Sequence, residues 1–157
     1  MQHIMGFDPG GTNGIVQCVV SEDEPLVVED GTEERDMFRA CSMVENFMAH
    51  MQRTQSTALV IVESWKSLSL PSNPDANLAC QPIGIIRWLG HDYGVPVRLQ
   101  PPQERLFITD DVMKKAGYWL VGGGGHKRQA LKHVLTYVSK TLRHQPTILK
   151  LHPREPK

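Results

Sequence analysis

Apolar residues run together or alternate with polar ones in five short stretches, and recur at helical spacing in four others. Residues 3–8 read as an apolar strand ending in Asp8, and 14–20 as a second strand after a Gly/Asn turn. An acidic turn at 21–24 leads to Leu26-Val27-Val28, a third strand, so that two tight turns in succession imply an antiparallel meander. Thr32 is placed to cap a helix over 33–52, whose apolar stripe is Phe38, Cys41, Val44, Phe47, Met48 and Met51. TALVIVE, residues 57–63, is continuous, β-branched and bounded by polar residues, which fits a strand buried on both faces.

Proline, serine and asparagine mark a loop at 71–74. A second helix follows over 75–93 with Leu78, Ile83, Ile85, Ile86, Trp88 and Leu89, and then a short strand at 95–99 that ends in Gln100-Pro101-Pro102. Thr109 reads as the cap of a short helix ending near Gly117. A run of glycines at 122–125 precedes a long helix over 126–142, and the tail after Pro146 is expected to be loosely held. The order β-β-β-α-β-α-β-α, opening with a meander, is that of the α/β ribonuclease H-like fold. It predicts a five-stranded mixed sheet, a three-strand antiparallel meander plus two parallel strands, flanked by helices. One domain is expected over 1–145, with 146–157 as a C-terminal tail.

At 157 residues the chain is long enough for one domain with a sizeable core. No apolar run approaches the roughly 18 to 20 residues needed to span a bilayer, and the N-terminus enters a strand without a signal-peptide layout. Cys18, Cys41 and Cys80 are odd in number and lack a CxxC pair, so reduced thiols and a cytoplasmic location are expected. The formal net charge is zero, but its distribution is uneven. Up to Glu63 the bases are Arg35, Arg39 and Arg53 against a long run of acids, whereas from Val112 onward many lysines and arginines face one acid, Glu155. Such asymmetry makes a basic face on a neutral protein, or merely solvated helix surfaces.

Two acids stand where charge is costly. Asp8 and Glu63 each end an apolar strand, and carboxylates at the ends of adjacent buried strands can converge at one rim of a sheet to hold a divalent cation. Asp8 alone could instead shape the Pro-Gly-Gly bend through its side chain, and Glu63 could pair with a nearby base. In GGGGHKRQALKH, residues 122–133, the glycines lack the GK[ST] ending of a phosphate-binding P-loop. They read as a flexible or close-packing helix entry. His126 and Gln129 share one helix face, with His133 a turn further on. This face lies away from the stripe of Leu131, Val134, Leu135, Val138 and Leu142, so by itself it reads as polar and solvent-facing.

Taken together, FDPG at Asp8, VIVES at Glu63, the proline-containing segment after Leu99 and the closing helix resemble the RuvC-like Holliday junction resolvases, especially the small versions carried by phages. The resemblance covers nearly the whole chain. It implies a homodimeric endonuclease acting on four-way junctions and related branched DNA, using two Mg²⁺ (or Mn²⁺) ions per active site and a metal-activated water. It assigns Asp8, Glu63, His126 and Gln129 to the catalytic and metal-binding set, with Gln129 where the family has Asp. Glutamine is neutral and cannot match a carboxylate ligand, so weak metal binding, compensation elsewhere or a protein that binds branched DNA without cutting all remain open. The same resemblance gives Trp65 and Lys66 a place beside the junction, with stacking suited to Trp65. Arg105 lies where the family has a base facing phosphate. Lys127, Arg128 and Lys132 border the proposed site and could position the DNA backbone.

DPGGTNG also resembles the phosphate-binding turn of sugar kinases and actin-like ATPases. Those proteins enclose a nucleotide between two such domains, for which 157 residues leave no room. That reading would also leave Glu63 and the basic closing helix unexplained.

Overall fold

The structure, a computed structural model, describes residues 1–64 and 74–153. Five strands, β1 (Gln2–Asp8), β2 (Asn13–Val20), β3 (Val27–Glu34), β4 (Ala58–Glu63) and β5 (Val97–Gln100), form one sheet in the order β3-β2-β1-β4-β5. β1 pairs antiparallel with β2, and β2 with β3; β1 and β4, then β4 and β5, are parallel. This is the meander-plus-parallel sheet of the ribonuclease H-like fold, and the expected architecture holds.

Strand alternation divides the core into two layers. Met5, Phe7, Val60 and Val62 face α1 (Met37–Thr54) and α2 (Pro74–Tyr93). Ile4, Leu59 and Ile61 face the other way, against Ala130, Leu131, Val134 and Val138 of α4 (His126–Lys140). By the two-residue period, Asp8 falls on the Ile4 side of β1 and Glu63 on the Ile61 side of β4. Both acids therefore face α4. The register Phe7↔Val62 makes them neighbours across the β1–β4 pair.

α4 lies unusually close to the sheet because two glycines admit it. A Cβ on Gly6 would stand 2.8 Å from the Ala130 carbonyl oxygen and 2.7 Å from a Val134 methyl carbon. A Cβ on Gly14, which pairs with Asp8, would overlap the His126 backbone. The absence of two side chains thus sets the first turn of α4 beside the end of β1.

Several boundaries differ from the expected ones. The first long helix starts at Met37, not at residue 33, because Asp36 caps it by accepting from the Arg39 amide. Residues 27–34 extend β3 instead, and Phe38 is exposed rather than in the apolar stripe. α4 ends at Lys140, so Leu142 lies outside it. Thr109 does cap α3 (Asp110–Lys115), accepting from the Val112 amide, while the preceding Pro102–Phe107 forms a 3₁₀ turn. The loosely held tail is corrected for its first part. Residues Gln145–Leu151 form α5, with Thr147 and Leu151 buried. The Thr147 hydroxyl accepts from the Leu26 amide at 2.9 Å, and His144 bridges Thr147 and the Ser21 carbonyl.

Among the described residues no helix is long and apolar enough to cross a membrane. Trp65, Lys66 and most of the loop expected at 71–74 lie outside the described residues.

Candidate active site

Asp8, Glu63, Arg105, His126 and Gln129 line one cleft of about 490 Å³, closed on its flanks by the 9–12 turn and by Gly124 and Gly125. The turn does not use Asp8 to hold its shape. Asn13 does so, accepting weakly from the Gly10 amide at 3.4 Å and donating to the Glu34 carbonyl at 3.0 Å. The Asp8 carboxylate is directed instead at the His126 Nδ1, 3.0 Å away. Burial, and then the neighbouring Glu63 carboxylate, push Asp8 up to about 8. The Arg105 charge pulls the other way but does not offset burial and the second acid.

Glu63 is fully buried at the end of β4 and is paired with bases, as the structural alternative for it required. The pairing lies inside the cleft, however. Its Oε2 meets the Arg105 guanidinium and the His133 Nε2, the latter at 2.9 Å. Burial would raise Glu63, but the His133 hydrogen bond and the Arg105 charge outweigh it and hold the acid below its ordinary range. Its other oxygen, Oε1, is buried without a partner.

His133 corrects the reading of the α4 polar face. It is fully buried, and its Nδ1 lies 3.0 Å from Gln100 Oε1. Gln100 ends β5 directly beside Glu63, so both side chains reach the α4 face. The amide as placed sets an acceptor against Nδ1 while Gln100 Nε2 has no partner. Turning it over would let Nε2 donate to Nδ1, leaving the His133 Nε2–H to donate to Glu63. His133 and Gln100 are the residues that sequence reasoning missed as part of the site. Their signals were present: His133 continues the 126/129 face by one turn, and Gln100 closes the strand next to Glu63.

The entry to α4 is held from β3. Glu33 accepts from the amides of Gly124 at 2.5 Å, Gly125 at 2.8 Å and Lys127 at 3.3 Å. Gly122, Gly123 and Gly125 have positive φ, which only glycine adopts freely, so the loop can turn its amides onto one carboxylate. The basic residues beside it are engaged locally. Lys127 Nζ donates to the Val121 carbonyl at 2.7 Å, and Arg128 donates to the Leu120 carbonyl at 3.1 Å while stacking over Trp119. Lys132 pairs with Asp110 at 2.6 Å. Arg105 reaches Glu63 directly, and Lys127, Arg128 and Lys132 brace the loop and helix around the acids.

Among the described residues no three His, Cys, Asp or Glu side chains are arranged as a ready metal cluster. Mg²⁺ does not require one, since it is commonly bound by one or two carboxylates with water and substrate phosphate completing the shell. A cation held by both acids would relieve the unpartnered Glu63 Oε1 and the raised Asp8. The donor set therefore fits a hard divalent ion that Asp8 and Glu63 would hold, in the cleft that His126 and Gln129 also line.

No protein-family model and no curated protein matches the chain. Its fold is nonetheless similar to solved structures. A Thermus thermophilus RuvC structure aligns with a TM-score of 0.64 at 15% identity, over 90% of this chain and 97% of that one. T. thermophilus RuvC in complex with a Holliday junction substrate aligns at 0.66 and 16%, over 92% and 97% respectively. The chain has a RuvC-like fold.

Proposed function

We propose that the protein is a divalent-metal-dependent endonuclease that resolves four-way junctions and related branched DNA. The observation that carries this reading is the pair of strand-end acids, Asp8 and Glu63, facing one open cleft with a buried carboxylate oxygen unpartnered. When bound there, Mg²⁺ or Mn²⁺, two ions per site by the resemblance, would polarise the scissile phosphate and activate water. The chain's own side chains do the rest. His126 orients Asp8, His133 and Gln100 fix the Glu63 rotamer, and Arg105 offers a planar fork to a phosphate. The similarity to RuvC in complex with a Holliday junction substrate supports branched DNA as the ligand. The compact phage kind, acting in the cytoplasm, belongs to the proposal through the sequence resemblance alone.

A homodimer belongs to the proposal, because a four-way junction presents two symmetry-related scissile strands. Of the apolar residues on α2, Ile86 and Leu89 are core, Ile83 is partly buried, and Trp88 is 65% exposed and free to meet a second copy.

A second reading, a protein that binds branched DNA without cutting it, is favoured by Gln129, which lines the cleft without a charge. Incubation with a synthetic four-way junction and a matched linear duplex, in Mg²⁺ and in Mn²⁺, tests both. Metal-dependent nicks placed symmetrically in the junction alone support the resolvase. Tight junction binding without nicks in either metal supports the second reading, and no preference for the junction rejects both.

A further inference from the structure

Glu63 has two basic partners on one oxygen, and they are not alike. His133 is fully buried within α4 and tied at its other ring nitrogen to Gln100. Its position is fixed by the core around it. Arg105 enters from the 3₁₀ turn, its side chain 28% exposed in the open cleft. A guanidinium stays charged at all working pH values, and its fork fits a phosphate as well as a carboxylate.

We propose that Arg105 is an exchangeable counter-ion of Glu63: it occupies the carboxylate while the cleft lacks DNA and transfers to a backbone phosphate when DNA enters, freeing Glu63 for the divalent ion. This rests on the metal-dependent, DNA-acting reading above. A guanidinium and a divalent cation repel one another across one buried carboxylate, so each weakens the other's hold on Glu63. An incoming phosphate is a competing anion for the guanidinium alone. His133 stays in place after the exchange, so Glu63 keeps its orientation, and Oε1 has no hydrogen-bond partner to give up to a cation. Because coupling between two ligands is reciprocal, DNA tightens metal binding and metal tightens DNA binding by the same factor. The device limits metal loading, and thus hydrolysis, to protein that already holds its substrate.

The test reads binding rather than turnover. Mn²⁺ affinity of the DNA-free protein is measured by electron paramagnetic resonance for the native chain, Arg105→Gln, Arg105→Lys and Glu63→Gln. Junction affinity is measured by fluorescence anisotropy in Ca²⁺ and in chelator at constant ionic strength. Arg105→Gln should bind Mn²⁺ about tenfold more tightly than the native chain, within the range usual for coupled sites, whereas Arg105→Lys should stay near native. The gain in junction affinity that Ca²⁺ gives the native protein should largely vanish in Arg105→Gln. Equal or weaker Mn²⁺ binding by Arg105→Gln would overturn the exchange and make Arg105 a support for Glu63. If Glu63→Gln leaves Mn²⁺ binding unchanged, the metal-site reading itself fails, a result distinct from the first.

Discussion

Glu33 lies outside the cleft, and its removal should be felt first in stability, through the loop that closes the cleft's flank. It lies on β3, yet three amides at the entry to α4 end on its carboxylate, so it acts as an N-terminal cap supplied from another element. Loss of an ordinary side-chain cap costs about 0.5–2 kcal/mol, and a negative charge near a helix N-terminus adds about 0.3–1 kcal/mol. Glu33 is partly exposed, and water can satisfy the freed amides, so the lower half of that sum applies. Glu33→Ala should therefore destabilise by about 1–2 kcal/mol, and Glu33→Gln, which keeps an acceptor oxygen, by about 0.5 kcal/mol. In a chain of this size each kcal/mol lowers the melting temperature by about 2–4 °C.

The pH dependence gives this prediction its sign. Burial would raise Glu33, but the Gly124, Lys127 and Gly125 amides outweigh it and hold the acid below its reference value of 4.5. A group depressed in the folded state stabilises above its unfolded pKa and loses that contribution as pH falls through the folded one. The gap between native protein and Glu33→Gln, read from urea unfolding, should thus be full at pH 7 and close progressively below about 4.5. An unchanged gap at pH 3, or none at pH 7, would refute the cap.

Asp8→Asn and Glu63→Gln should each abolish junction cleavage while leaving junction binding largely intact, as a gel-shift and nicking assay would show; cleavage surviving in chelator would reject the metal-bound acids. Gln129→Asp should strengthen Mg²⁺ binding by on the order of tenfold, since ligand charge governs affinity for hard cations, and superimposable Mg²⁺ titrations would place Gln129 outside the metal's reach. Gly14→Ala should destabilise by about 1–3 kcal/mol or more through overpacking against α4, measured by thermal melting, and a native melting temperature would mean that the helix sits farther from β2. Light scattering with and without junction DNA should report a dimer, and a monomer in both states would reject that part of the proposal.

Most of the sheet was legible because its strands are short, apolar and separated by turn residues, and TALVIVE reads as a buried strand from its continuous, β-branched run between polar residues. Asp8 and Glu63 stood out because a charge at the end of such a strand is rare. What composition hides is partnership across the chain. Residues 27–34 carry five acidic or glycine positions, so the sequence pattern ends the strand at Val28 and starts a helix at 33, yet pairing with β2 overrides that propensity. His133 looked solvent-facing because an imidazole one turn beyond a polar pair carries no mark of burial. Only the close approach of α4, which Gly6 and Gly14 permit, brings it onto Glu63. α5 was missed for a similar reason, since its seven residues are anchored by the Thr147 bond to the Leu26 amide, far away in sequence, and by Leu151 in the core.

The order in which the site's charges occur along the chain has a bearing on how the protein is made. Both acids lie within the first 63 residues, and the side chains that meet them, Arg105, His126 and His133, all come after residue 100. A chain leaving the ribosome at about 5–20 residues per second therefore displays the meander, then β4, for several seconds before any base has emerged to receive the acids. Burial of Asp8 and Glu63 against α4 must wait for that helix, because an unpaired carboxylate resists leaving water by several kcal/mol. The parallel β1–β4 pair can form early, but its α4 face stays open and hydrated at the acidic end. The cleft is thus completed by the last third of the chain, and a nascent chain that stalls before α4 would hold two water-exposed acids and no site.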